Sequence, residues 1–197
     1  PCRYHVCHVS TKESVALIRK AKAEKLPVSC ETGPHYLVFS DEDLQEDARF
    51  KMNPPLREEA DRQAVIRGLV DGTIDMIATD HAPHTAEEKA KPITEAPSGI
   101  TGLETSLALG ITELVDRGYL TMKQLLRLMS TNPAAMYHLD AGYLAEDGPA
   151  DVILIDTAAE FTPEKYASKA TNTPFTGWNL KGEVRKTICG GRIVYEA

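Results

Sequence analysis

Between residues 3 and 80, short apolar runs alternate with amphipathic stretches of helical period, and this alternation constrains the fold more than any other feature. Residues 3–9 (RYHVCHV), 28–32 (VSCET) and 74–78 (IDMIA) read as strands. Between them lie a helix opening at Ser10-Thr11-Lys12-Glu13 and a helix over Glu58 to Val70. A strand–helix–strand–helix–strand order predicts a parallel sheet with right-handed crossovers. In such sheets chemistry gathers at the C-terminal ends of the strands.

Local signals set the boundaries. Ser10 and Glu13 have capping-box spacing. Val15, Leu17, Ile18, Ala21 and Leu26 form an apolar side, and Pro27 stops the helix. Gly33-Pro34 ends the second strand and leaves His35 and Tyr36 in the loop beyond it. Ser40-Asp41-Glu42-Asp43 starts a short helix. In the helix over Glu58 to Val70, Ala60, Ala64, Val65 and Leu69 face inward. Residues 85–95 are charged and irregular, Thr101–Asp116 and Thr121–Met129 read as amphipathic helices, and Asn132-Pro133 opens a further short one. The last third changes character. Val152 to Ile155 reads as a buried strand, Phe161 to Trp178 as a long surface connection, and Cys189-Gly190-Gly191 as the turn of a hairpin.

The candidate chemistry follows from this layout. The apolar run ending in Thr79-Asp80-His81-Ala82-Pro83-His84 puts a carboxylate and two imidazoles at a strand mouth. A carboxylate there binds a hard or borderline metal, shuttles a proton, or does both; an Asp after a strand also caps helices. His8, at the end of the first strand, looks onto the same rim or is a buried histidine bonded to backbone. Asn53, in the stiff Met52-Asn53-Pro54-Pro55 segment, offers an amide to a ligand with carboxylate and amide groups, or caps the turn. Gly99 allows close approach of backbone to a ligand.

Composition removes other classes. A net charge of −7 without a basic run argues against nucleic acid and anionic membrane surfaces. No apolar stretch approaches a membrane span. The four cysteines, Cys2, Cys7, Cys30 and Cys189, lack the spacing of a disulfide framework, and no signal peptide is seen, so a reducing cytoplasm is the expected setting. The chain starts Pro-Cys-Arg-Tyr-His-Val, without Met and directly in a strand pattern. It is therefore expected to be the C-terminal part of a longer polypeptide.

His8-Val9-Ser10, Lys51 to Leu56, Ala78 to His84, and Pro97-Ser98-Gly99 through Thr105 together resemble the dihydroorotases of the bacterial class I type, in the amidohydrolase superfamily. The resemblance runs from Tyr4 to the C-terminus. It implies an α/β fold: the C-terminal part of a metal-dependent (β/α)8 TIM barrel over residues 1–140 (strands six to eight), with part of a composite small β-sandwich over 141–197. It also implies two zinc ions per active site, with His8 on the more buried ion and Asp80 on the other. Asp80 is then the general base. Asn53, His84, Ser98 and Gly99 hold the substrate, the last two through backbone groups. The implied reaction is the reversible cyclisation of N-carbamoyl-L-aspartate to L-dihydroorotate in pyrimidine (UMP) biosynthesis.

The family's first-strand His-x-His pair, bridging carboxylate, fifth-strand histidine and substrate-gripping arginine have no counterpart in these residues. This chain alone is therefore expected to be inactive. A homodimer and association with aspartate transcarbamoylase are the implied assemblies. Two alternatives stand beside this reading: a hydantoinase- or dihydropyrimidinase-like cyclic-amide hydrolase, and a non-catalytic scaffold subunit of aspartate transcarbamoylase.

Overall fold

The computed structural model describes residues 2–197. They divide into two compact units, residues 2–106 with 163–177, and residues 107–162 with 178–197.

The first unit is built on a parallel three-stranded sheet of β1 (Tyr4–Val6), β2 (Val28–Thr32) and β3 (Met76–Ile77), in that spatial order. Tyr4 pairs with Val28, Val6 with Cys30, Glu31 with Met76 and Thr32 with Ile77. The crossovers carry α1 (Lys12–Ala23), α2 (His35–Val38) and α3 (Glu59–Val70). The expected alternation is present, with shorter strands at both ends. Beyond β1 and β3 the Val9 and Ala78 N–H groups still donate to the Glu31 and Thr32 carbonyls, while His8 and Asp80 take positive φ, +56° and +47°.

Several local expectations are corrected. Thr11, not Ser10, caps α1: its Oγ1 accepts the Ser14 N–H at 3.1 Å, while Ser10 is still in the buried segment leaving β1. On α1 only Val15 and Ile18 are buried, and Leu17 and Leu26 are exposed. On α3 the buried set is Asp61, Val65, Ile66, Gly68 and Leu69 rather than the alanines. The buried Asp61 carboxylate accepts the Lys12 N–H at 2.8 Å, tying α3 to the start of α1. Asp75 joins the sheet to α1: it accepts from the Cys30 N–H and pairs with Lys22 Nζ at 2.7 Å. His35 and Tyr36 are buried in α2, not in an open loop. Within 85–95, Thr85 and Glu88 form a capping box that starts α4 (Ala86–Lys89).

Residues 163–177 are not a surface connection throughout. Asn172, Thr173 and Phe175 are buried in the first unit, and Phe175 stacks on Phe39 with ring centroids 5.2 Å apart. A chain rich in Thr and Pro looks solvated in sequence, but its few apolar residues suffice to seat it in the core.

In the second unit, α5 (Ser106–Gly110) runs into a π-helical turn at Ile111–Val115, and α6 (Met122–Leu126) into another at Arg127–Thr131, before α7 (Asn132–Tyr137). The expected helix from Thr101 starts at Ser106, because Thr101 instead bonds the Asn172 carbonyl. Leu109, Ile111, Leu114, Leu125 and Leu180 are buried at or near zero exposure. An antiparallel sheet follows, β4 (Val152–Phe161), β5 (Leu180–Cys189) and β6 (Arg192–Glu196). Gly190 and Gly191 both take positive φ at the β5–β6 turn, as a two-residue primed turn requires. β4 carries a bulge after Asp156, whose carboxylate collects the freed N–H groups of Ala158 and Ala159. The expectation of a buried strand fails here: Ile153 and Leu154 are 44% and 49% exposed. Ile153 and Leu154 are consecutive and point to opposite faces, so neither face of β4 is fully covered there.

Candidate active site

Two sequence-predicted residues converge at the C-terminal ends of β1 and β3. His8 Nε2 lies 3.8 Å from Asp80 Oδ1, and both side chains are about a third exposed. Both residues adopt left-handed backbone, which costs a non-glycine residue on the order of 1 kcal/mol. Strain of this kind at the ends of the two strands that flank β2 is typical of sites where side-chain aim matters more than local stability.

Behind His8 stands Glu31, which the sequence reading did not select. It is 4% exposed, and its Oε1 accepts the His8 backbone N–H at 2.7 Å. His8 Nδ1 sits 2.9 Å from the same oxygen without hydrogen-bond geometry. Glu31 thereby occupies one edge of the imidazole and leaves Nε2 toward Asp80. The signal for it was a carboxylate inside a strand, which is rarely buried unless paired.

This donor set fits a metal ion. An imidazole nitrogen and a carboxylate oxygen 3.8 Å apart, both partly open to solvent, are donor types that zinc accepts, and they lie close enough to serve neighbouring ions of one centre. A carboxylate against the non-ligating side of a histidine is the usual support of a metal-binding imidazole. His5, Cys7 and Glu31 also offer three donor atoms within 4.8 Å of one another, though Glu31 is already engaged by His8.

His35 adjoins this corner. Burial, reinforced by the nearby His8, holds its imidazole neutral, with the pKa lowered to about 3. Its Nε2 is buried without a hydrogen-bond partner. The neighbouring Tyr36 hydroxyl donates to the Pro54 carbonyl at 2.6 Å. Its pKa is raised by burial and then by the Asp80 and Glu31 charges.

Of the remaining predicted residues, His84, Ser98 and Gly99 form a second cluster. His84 Nε2 is 3.0 Å from the Ser98 carbonyl. Gly99 is buried at φ +109°, its N–H donates to the Lys51 carbonyl, and a Cβ there would lie 2.5 Å from the Ala82 methyl. Asn53 is exposed, two residues along from Lys51. His81 Nδ1 accepts from the Gly102 and Leu103 N–H groups. A pocket of about 570 Å³ lined by Arg49, His84, Lys89 and Asn172 adjoins this cluster, but neither His8 nor Asp80 is in its wall. Asn172 is the other functional candidate the sequence reading missed; nothing in its neighbourhood distinguishes it.

Residues 2–194 match the model of the amidohydrolase family. The chain belongs to the amidohydrolase family. This amidohydrolase chain is 52% identical over 198 residues to the dihydroorotase of Bacillus caldolyticus, covering 99% of this chain and 46% of that protein. It is 51% identical, over the same shares, to the dihydroorotase of Bacillus anthracis. The chain thus spans about half the length of the curated relatives it matches. Among solved structures it resembles the L-hydantoinase (dihydropyrimidinase) of Arthrobacter aurescens, with TM-score 0.89 and 31% identity over 99% of this chain and 45% of that one. The dihydropyrimidinase of Brevibacillus agri has the same TM-score at 26% identity and the same coverage. The mixed α/β fold is therefore that of the amidohydrolases.

Proposed function

We propose that the protein to which this chain belongs is a zinc-dependent dihydroorotase, interconverting N-carbamoyl-L-aspartate and L-dihydroorotate in cytoplasmic pyrimidine biosynthesis. One observation carries the reading: His8 and Asp80 meet at 3.8 Å on one sheet rim, in a chain 52% identical to dihydroorotases. In this reading residues 1–140 supply the last three strands of a (β/α)8 barrel and residues 141–197 part of a small β-sandwich. The working assembly is a homodimer, with aspartate transcarbamoylase as a further partner.

His8 and Asp80 would hold the metal ions. When bound, such ions polarise the scissile carbonyl and lower the pKa of water. Opening the ring needs a base to take a proton from the attacking water and return it to the departing ring nitrogen. In this reading Asp80 makes both transfers, and its partial exposure beside His8 supports that role. His84 and the backbone of Ser98 and Gly99 orient the substrate, with Asn53 contributing its amide. Holding the amide carbon in line with the attacking oxygen supplies several kcal/mol of the barrier reduction. The segment Thr85–Ser98 closes over the bound substrate and excludes water.

The hydantoinase-like alternative rests on the structural neighbours, at lower identity than the dihydroorotases. A metal-free scaffold role is disfavoured by the intact His8–Asp80 pair. The deciding experiment assays the full-length protein on dihydroorotate, dihydrouracil and hydantoin. Dihydroorotate is expected to be preferred by kcat/KM by at least about a hundredfold, since charged-group recognition is worth several kcal/mol. Preference for either uncharged ring, or no turnover by the zinc-loaded protein, overturns the proposal.

A further inference from the structure

We infer that Asn172 is a positioning residue that clamps the two substrate-holding segments together; this rests on the substrate roles proposed above for His84, Ser98 and Gly99. Asn172 is 6% exposed and reaches the site from a segment distant in sequence. Its Nδ2 donates to the Ala82 carbonyl at 3.0 Å and to the Gly99 carbonyl at 3.2 Å. Its Oδ1 accepts the His84 N–H at 3.0 Å. Its own carbonyl accepts the Thr101 N–H at 3.1 Å.

The chemistry selects an amide. A primary amide has two N–H donors and one carbonyl acceptor, and every one of these groups is used. The His84 N–H must meet an oxygen, so the orientation of the amide is determined by the network. A carboxylate of the same shape accepts from His84 but has no proton for Ala82 or Gly99, and it sets a negative charge against two carbonyl oxygens. Serine is too short to span three partners.

The clamp joins the turn that presents the His84 imidazole to the loop that presents the Ser98–Gly99 backbone. His84 Nε2 on the Ser98 carbonyl is a second tie across the same gap, at 3.0 Å. The first tie spends both polar groups of the Asn172 side chain on protein partners. Asn172 therefore governs how well substrate is held, and His8 and Asp80 govern how fast it reacts.

The test compares full-length wild type with Asn172→Asp, Asn172→Ala and Phe175→Leu, reading kcat, KM and Tm on dihydroorotate. Both Asn172 variants are expected to raise KM about tenfold or more with kcat within about threefold, the mark of lost binding rather than lost transition-state chemistry. Phe175→Leu alters the core of the same segment and is expected to lower Tm while leaving KM in place. Unchanged KM in folded Asn172 variants overturns the inference, as does an equal KM rise in Phe175→Leu. Failure of both Asn172 variants to fold also overturns it, making the residue one of folding rather than positioning. Absence of dihydroorotate turnover by wild type refutes the proposed function instead. The same comparison then runs on whichever cyclic amide wild type hydrolyses; an unchanged KM there overturns the clamp, and a rise of about tenfold sustains it.

Discussion

His8 Nε2 and Asp80 Oδ1 stand 3.8 Å apart, at the ends of β1 and β3, the two outer strands of a parallel sheet. Each residue takes left-handed backbone as its strand ends, and this turn aims both side chains at one point. Asp80→Asn keeps the shape and tolerates φ of +47° at least as well as aspartate, but it cannot take a proton. Its expected effect is a fall in kcat of about 10²–10⁴-fold, with Tm unchanged within a few degrees. Steady-state assay and thermal melting of the full-length protein check both.

Glu31 acts through His8. Glu31→Gln retains an acceptor for the His8 N–H, yet it removes the negative charge beside Nδ1. Metal affinity is expected to weaken about 10–100-fold, as when the carboxylate supporting a metal-binding histidine is lost. Competition titration against a chromophoric zinc chelator measures this directly, without reference to turnover.

His35 makes stability depend on pH. Its folded-state pKa is lowered to about 3 from an ordinary 6.5, mainly by burial and then by His8. Below pH 6.5 the unfolded chain takes up a proton that the folded chain refuses, so the unfolded state gains as pH falls. Stability is therefore full above about pH 6.5 and is lost progressively toward pH 3, by up to about 1.4 kcal/mol per pH unit from this group. His35→Gln is expected to flatten that part of the profile. Urea unfolding of both proteins from pH 7 to pH 4 decides it; parallel profiles would exclude His35 as the source.

Gly99 cannot accept a side chain. At φ +109° an L-residue is strained, and a methyl would stand 2.5 Å from the Ala82 Cβ. Gly99→Ala is expected to push the 98–99 loop off the Ala82–His84 turn and raise KM about tenfold or more, since misplacement of about 1 Å at a site has large kinetic effects.

Phe175 anchors the returning segment in the first unit, at 1% exposure and stacked on Phe39. Phe175→Ala is expected to cost about 3–5 kcal/mol of stability, the usual range for removing a buried phenylalanine. Equilibrium urea unfolding checks it. A cost under about 1 kcal/mol would mean that residues 163–177 are not part of the cooperative core.

Much of the site was legible because its residues lie at the ends of periodic runs. Ile74 to Ala78 predicts a strand by hydropathy alone, and the residues after it must then sit at the rim, which locates Asp80 and His84. His8 is located in the same way by residues 3–9. Glu31 and Asn172 were not legible. A carboxylate in a strand and an amide in a Thr- and Pro-rich stretch carry meaning only through partners far away in sequence. The exposure of β4 was illegible for a related reason: a run of four apolar residues says nothing about whether either face of the strand is covered.

The sequence by itself determined the order of strands and helices, the parallel sheet and the rim on which His8 and Asp80 lie, because hydrophobic period and turn chemistry are local properties. Only the tertiary structure decided that Glu31 supports His8 and that Asn172 ties His84 to Gly99. Hydrogen bonds between residues remote in the chain depend on side-chain positions to within a fraction of an ångström, and packing alone sets those.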